Sequence, residues 1–139
     1  MIERLDSQGY EIKICWVIAL EPEARPVIDL FDLRPLSNHL NFPVYLNSKS
    51  GHALVISGIG SSKAAAAVAY LKMLLDAPSY VGWINIGIAG FHLEPIGQIF
   101  QAIKVYDSAT RRSYFPGFRL SKIVKCQTLH TVAQPETTY

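Results

Sequence analysis

Two carboxylates, Glu21 and Glu23, follow directly after the apolar segment 12–19. The β-branched and aromatic residues of that segment predict a buried strand in a mostly parallel sheet. A carboxylate at such a strand end, partly withdrawn from water, gains proton affinity and can serve as a general base. The alternative is a solvated carboxylate in the first turn of a helix, where the helix dipole favours negative charge.

The segment 20–31 predicts a short helix after this strand. Pro22 suits its first turn, whereas Pro26 would cost an interior hydrogen bond, so the helix is expected to begin near either proline. Further along, a hairpin is predicted over 43–57 and an alanine-rich helix over 64–75. These elements place the two carboxylates close to a strand end.

Two glycine turns, 58–60 and 87–90, also lie at the ends of apolar segments. The first comes before the helix over 64–75, and the second ends the strand predicted within 80–89. In open α/β sheets small ligands bind at the carboxyl ends of the strands, where both turns and the paired carboxylates are expected. This convergence is the main physical indication of a small-molecule site.

The turn 57–62 has two interpretations. Its glycines and serines offer amides and hydroxyls to an anion at a helix N-terminus. However, Lys63 occupies the position where the dinucleotide-binding pattern needs glycine or alanine, and the phosphate-loop spacing is absent. The alternative is that the glycines only permit a sharp turn and close helix–sheet packing.

The chain length and the element order predict the fold class. A chain of 139 residues that is half apolar supports one domain, taken as residues 1–139. A further strand is predicted over 96–106 and a polar loop over 107–113, after which the pattern weakens. Strands mixed with helices in this order predict an α/β fold, a three-layer, mostly parallel mixed sheet with helices on both faces.

Composition argues against several classes of partner. The 13 basic and 11 acidic residues are spread along the chain, so we expect no nucleic-acid partner. No apolar run approaches the roughly 20 residues of a membrane span, and the N-terminus lacks a secretory signal, so a cytoplasmic location without membrane attachment is expected. The scattered histidines and the two cysteines lack metal-site spacing, so no metal is expected.

Three motifs in order resemble the nucleoside phosphorylase superfamily, and most closely the methylthioadenosine/S-adenosylhomocysteine nucleosidases and hopanoid-associated phosphorylase-like proteins. The motifs are segments 19–24 (Ala-Leu-Glu-Pro-Glu-Ala), 57–60 (Ser-Gly-Ile-Gly) and 85–90 (Asn-Ile-Gly-Ile-Ala-Gly). The resemblance covers about residues 11 to 110. It implies cleavage of the N-glycosidic bond of a purine nucleoside, with water or phosphate as the acceptor and without a cofactor.

The resemblance also implies site residues. Glu23 matches the glutamate that activates the attacking water in the nucleosidases, and Ala89 and Gly90 match the turn whose backbone lies along the purine. Ile88 belongs to the same substrate-binding turn, but it stands where the nucleosidases have a serine. Arg25 is a candidate for binding phosphate, as an arginine in this region does in bacterial hexameric phosphorylases.

The resemblance stops before other catalytic parts of the family. The Met-Glu motif that holds the ribose and the aspartate that protonates the purine come later in the family, and neither is found here. We therefore expect a domain truncated at its C-terminus, weakly active or inactive, because loss of a leaving-group acid costs roughly 10²- to 10⁴-fold.

Two alternatives from other functional classes remain. The first is a non-catalytic purine-binding or assembly module that completes its sheet as a homo-oligomer, because a truncated sheet would leave an edge or a face uncovered. The second is an unrelated α/β nucleotide-binding domain, which would hold a phosphate at residues 58–62.

Overall fold

The computed structural model describes residues 11–36, 41–77, 79–91 and 95–132. The chain divides into two compact units, Met1–Ala89 and Gly90–Tyr139. The first unit contains all three strand ends at which the sequence places a site. The assignment of residues 1–139 to a single domain stays a prediction.

The described part of the first unit contains five strands and two helices. They are β1 (Ile14–Ile18), α1 (Glu21–Leu30), β2 (Arg34–Pro35), β3 (Val44–Asn47), β4 (His52–Ile56), α2 (Ser61–Leu74) and β5 (Gly82–Ile86). The strand order is β2-β3-β4-β1-β5. Strand β1 pairs in parallel with β4 and with β5, whereas β3 is antiparallel to β2 and to β4. The predicted α/β class and mixed sheet are therefore confirmed, with parallel pairing confined to β4-β1-β5 among these strands.

Alternation along β1 divides its side chains between two hydrophobic clusters. Cys15 and Val17 belong to the cluster that includes Leu71 of α2, whereas Ile18 belongs to the cluster that includes Val27 of α1. Successive side chains of a strand point to opposite faces, so β1 contributes to both clusters. The apolar run of β1 thus reflects burial on both sides, as the sequence predicted.

Each helix packs along one stripe. In α2 the buried residues Ala67, Leu71 and Leu74 recur at the spacing of one helix face. The smaller helix α1 begins at Glu21 and continues through Pro26. Of the two starts that the prolines permitted, the structure has the one near Pro22, and burial of Ala24, Val27 and Ile28 offsets the hydrogen bond that Pro26 cannot donate. No helix in the described ranges is both long enough and apolar enough to cross a membrane.

The second unit contains a small mixed sheet in its described part. Its strands are β6 (Phe100–Asp107), β7 (Arg112–Tyr114) and β8 (Lys125–Thr131), in the order β7-β6-β8. The predicted polar loop becomes a hairpin turn in which Asp107 accepts backbone hydrogen bonds from Ala109 and Thr110 at 3.0 and 3.4 Å. Strand β8 was not predicted, because its local sequence lacks an apolar alternation and its pairing with β6 is long-range.

Candidate functional site

The carboxyl ends of β1, β4 and β5 lie along one edge of the first sheet, because these three strands run in parallel. Pairing continues past β1 and β4, where Ser57 N–H donates to Ile18 C=O at 2.8 Å and Gly58 N–H to Ala19 C=O at 3.0 Å. The start of α1 and the first glycine turn are thereby held side by side. This edge is where the sequence placed the candidate site.

Glu23 connects the start of α1 to the end of β5. One carboxylate oxygen, Oε2, accepts a hydrogen bond of 3.1 Å from the backbone N–H of Leu20. The other, Oε1, accepts one of 3.0 Å from the backbone N–H of Ile88. A Cβ on Gly87 would make an ordinary contact with Oε1, at 3.5 Å, so the carboxylate lies close against the backbone of this turn. Glu23 is half-buried, and two backbone donors fix the direction of its carboxylate.

The segment after β5 offers its backbone and an apolar side chain. Ile88 donates its N–H to Glu23, while its side chain is 89% exposed. Ala89 is also exposed. Gly90 begins the second unit, and a Cβ there would meet nothing within 4 Å, so neighbouring protein atoms impose no need for glycine. The structure therefore joins Glu23 to Ile88, two of the residues that the sequence assigned to one site.

Arg25 has a different environment from Glu23. Its guanidinium pairs with Glu21 at 2.6 Å, and both side chains are more than half exposed. Residues two positions apart point about 200° apart around a helix, so Arg25 and Glu23 project in nearly opposite directions. Arg25 instead lines a surface depression with Asp29 and with the ion pair of Asp32 and Arg34, so the charges of this depression balance and offer an anion no excess of positive charge. This position gives no support to its predicted role in phosphate binding.

The turn at 58–60 needs glycine for its backbone. Gly58 has φ +79° and Gly60, which caps α2, has φ +109°, conformations that other residues rarely adopt. The buried hydroxyl of Ser57 donates to backbone carbonyls of Ile18 and Gly58, at 3.4 and 2.9 Å. These observations support the second interpretation, in which the glycines permit a sharp turn of the backbone before α2.

Lys63 also lies at this edge, and in the sequence it stands out only as a departure from the dinucleotide-binding pattern. Its side chain lies over Gly58, where a Cβ would be 3.0 Å from its Cδ and 3.6 Å from its Nζ. Its position in the first turn of α2, just after a glycine turn, is the signal that could have drawn attention to it. The ammonium group adds positive charge beside the N-terminus of α2.

The two described histidines both pack against aromatic side chains. The imidazole of His52 packs against Phe31, and that of His130 packs against Tyr106. His39 and His92 lie outside the described residues. Across the described ranges, no three His, Cys, Asp or Glu side chains come together as metal ligands would.

Comparison with known proteins leaves the family unassigned. No protein-family model matches the chain, and no curated protein matches it in sequence. The resemblance to nucleoside phosphorylases therefore stays a prediction from three short motifs. What the structure adds is the position of Glu23 beside the turn that follows β5.

Proposed function

We propose that this chain binds a purine nucleoside at the carboxyl edge of β1 and β5 and cleaves its N-glycosidic bond, with Glu23 as the general base. The single observation that carries the proposal is the hydrogen bond of 3.0 Å between Glu23 Oε1 and the N–H of Ile88. This bond places a directed carboxylate beside the turn that the family resemblance assigns to the purine. A general base must lie within hydrogen-bond reach of the proton that it removes.

The acceptor in this proposal is water. The guanidinium of Arg25 is engaged by Glu21, and Ile88 supplies an apolar side chain where a hydroxyl would favour phosphate. The Glu23 carboxylate repels an incoming anion but accepts a proton from a neutral water. The backbone of Ala89 and Gly90 would lie along the base, and no cofactor is required.

Turnover by these 139 residues alone is expected to be slow. The family's leaving-group acid has no counterpart that the motifs assign within the 139 residues, and general-acid help accounts for roughly 10²- to 10⁴-fold in rate. We also propose that the five-stranded sheet with α1 and α2 is the core of a three-layer domain. In this proposal the protein acts in the cytoplasm as a homo-oligomer.

A second candidate function is non-catalytic binding of a purine. The observation that favours it is that both carboxylate oxygens of Glu23 already accept backbone hydrogen bonds. A carboxylate with this role stabilises the junction of two strand ends whether or not it removes a proton. The same turn at Ile88–Ala89 would then bind the base without cleaving the nucleoside.

The discriminating experiment measures adenine release from methylthioadenosine and from adenosine, with and without inorganic phosphate, by chromatography. Wild-type protein is compared with Glu23→Gln and with the matched control Glu21→Gln, whose carboxylate contacts Arg25 instead. We expect release without phosphate, a loss of roughly 10²-fold or more in Glu23→Gln, and little change in Glu21→Gln.

The other outcomes decide between the proposals. Adenine binding measured by calorimetry, in the absence of any release, would support the non-catalytic alternative. Release that requires phosphate would overturn the assignment of water as the acceptor. If the protein neither releases nor binds adenine, both proposals are wrong.

A further inference from the structure

Three aromatic side chains meet at the end of α1 that lies farthest along the helix from Glu23. Trp16 of β1 donates its indole Nε1–H to Nδ1 of His52, at the start of β4, over 3.2 Å. The His52 ring lies 4.1 Å, centroid to centroid, from Phe31, which caps the C-terminus of α1. Trp16 and Phe31 are themselves 5.5 Å apart. Each of the three rings therefore contacts the other two, and His52 is the one that can take up a proton.

Polar contacts beside the three rings also fix the last turn of α1. Asn47 of β3, which is paired with His52 in the sheet, donates its side-chain amide to the carbonyls of Phe31 and Asp32 at 2.9 and 3.3 Å. The chain leaves the helix through a hydrogen bond of 2.9 Å from Leu33 N–H to Ile28 C=O. The C-terminal end of α1 is thus fixed from both β3 and β4.

The bond from Trp16 determines the charge and the tautomer of His52. An indole N–H is only a donor, so Nδ1 must be the unprotonated nitrogen, and the single ring proton of neutral imidazole is on Nε2. A second proton, taken from solvent, would go onto Nδ1. The new Nδ1–H would then face the indole N–H of Trp16, and two donors cannot form a hydrogen bond. Partial burial also favours the neutral ring, since it lowers the pKa of His52 below the ordinary value of 6.5.

We propose that His52 is a pH-dependent latch: its protonation breaks the hydrogen bond from Trp16 and loosens the C-terminal end of α1. The packing of His52 on Phe31 transmits the change, because an imidazolium deprived of its acceptor role must turn towards new acceptors. The acceptors that α1 offers at this end are its terminal carbonyls, which carry the negative end of the helix dipole.

Charged groups on the surrounding elements are already paired or lie at the surface. Beyond α1, Asp32 forms an ion pair of 2.6 Å with Arg34. Before β1, Lys13 and Glu11 lie 3.7 Å apart. Lys49 is exposed in the turn between β3 and β4. Burial, rather than any of these charges, is what lowers the pKa of His52.

The latch bears on the candidate site through the helix itself. Helix α1 is a single element of ten residues, with Glu23 in its first turn and Phe31 at its C-cap. Loosening one end changes how firmly the other is positioned. The inference depends only on the Trp16–His52–Phe31 geometry, so the tests below do not depend on the proposed enzymatic function.

The first test follows His52 directly in the full chain by nitrogen-detected NMR, from about pH 8 to about pH 5. At the upper pH we expect the tautomer protonated on Nε2, with Nδ1 shifted as an acceptor. We expect the midpoint to lie below the 6.5 of an unperturbed histidine. The opposite tautomer at high pH, or a midpoint at or above 6.5, would overturn the proposal.

The second test uses Trp16 fluorescence in a Trp83→Phe background, since the sequence contains two tryptophans. An imidazolium beside the indole should quench emission, so the signal should titrate with His52. In His52→Gln, whose side-chain oxygen can still accept from Trp16, the titration should vanish. The matched control His130→Gln, in the second unit, should leave it unchanged. A fluorescence titration that persists in His52→Gln would overturn the proposal.

Loosening of α1 is measured by amide hydrogen exchange at Phe31 and Leu33, corrected for the intrinsic pH dependence. Between about pH 8 and about pH 5 we expect exchange to accelerate roughly three- to tenfold, the usual effect of losing one hydrogen bond. His52→Gln should show no such acceleration. Unchanged protection in the wild type, with His52 shown by NMR to be protonated, would contradict the latch.

Discussion

Glu23 Oε1 lies 3.0 Å from the backbone nitrogen of Ile88, and this hydrogen bond joins residues separated by 65 positions in the sequence. It exists because β1 and β5 are parallel neighbours, so the residues that follow them emerge at one edge. The contact has two consequences. It secures the turn after β5 to α1, and it directs the carboxylate to which the family resemblance assigns the role of base.

The structural part of this role predicts an effect on stability. Glu23→Ala removes the acceptor for both Leu20 and Ile88, and we expect the free energy of unfolding to fall by about 1–3 kcal/mol, typical of bonds to a charged group. Urea denaturation measures it. The control Glu21→Ala breaks an exposed pair with Arg25 and should cost only about 0.5 kcal/mol. Equal effects of the two variants would show that the Ile88 contact contributes nothing to stability.

The two glycine turns should respond differently to alanine. Gly60→Ala forces a side chain onto a residue with φ +109°, and we expect a loss of roughly 1 kcal/mol or more in thermal or urea denaturation. Gly90→Ala meets open space and should change the stability by less than about 0.5 kcal/mol. If the backbone at Gly90 lies along a purine, Gly90→Ala should nevertheless weaken adenine binding. Unaltered binding would count against that placement.

His52 predicts the direction of the pH dependence of stability. Burial lowers its pKa in the folded protein below 6.5, so the unfolded chain binds more protons as the pH falls through that value. The free energy of unfolding should therefore fall as the pH decreases from about 6.5 towards the folded pKa, and level off below it. Urea denaturation at several pH values measures this, and His52→Gln should remove the decline. A wild-type stability that rises over this interval would contradict the prediction.

The two cysteines should differ in reactivity. Cys15 is fully buried, and burial raises the pKa of its thiol to about 12. Cys126 is only partly buried and has the Arg119 guanidinium 2.9 Å from its sulfur. A disulfide reagent at neutral pH should modify Cys126 first and reach Cys15 only through unfolding, because the thiolate is the reactive form. Cys126→Ser should remove the fast phase, and its persistence would show that Cys15 is accessible.

The core of the first unit provides a test of the packing of α2. Leu71 is fully buried, whereas Met73, two residues later on the same helix, is 63% exposed. Leu71→Ala should lower the free energy of unfolding by about 2–5 kcal/mol, because it leaves a cavity. Met73→Ala should change it by about 0.5 kcal/mol or less. Similar losses for both in urea denaturation would contradict the assigned buried face.

The local sequence predicted β1, the hairpin of β3 and β4, α2 and β5, because each has a strong apolar pattern or clear turn chemistry. It did not predict β8, whose seven residues alternate poorly and acquire their strand conformation by pairing with β6. It left the start of α1 open, since proline chemistry alone permits two positions. Packing of the apolar stripe of α1 places the start of this helix at Glu21.

The candidate site was likewise predicted only in part from the sequence. The sequence by itself determined that Glu23 and the turn 87–90 follow strands whose ends carry turn residues. Only the tertiary structure decided that β1 and β5 are neighbours, that Glu23 bonds to Ile88, and that Arg25 pairs with Glu21. Likewise, nothing local couples Trp16 to His52. Periodicity is a property of adjacent residues, whereas strand order and side-chain partners depend on long-range pairing that no single segment encodes.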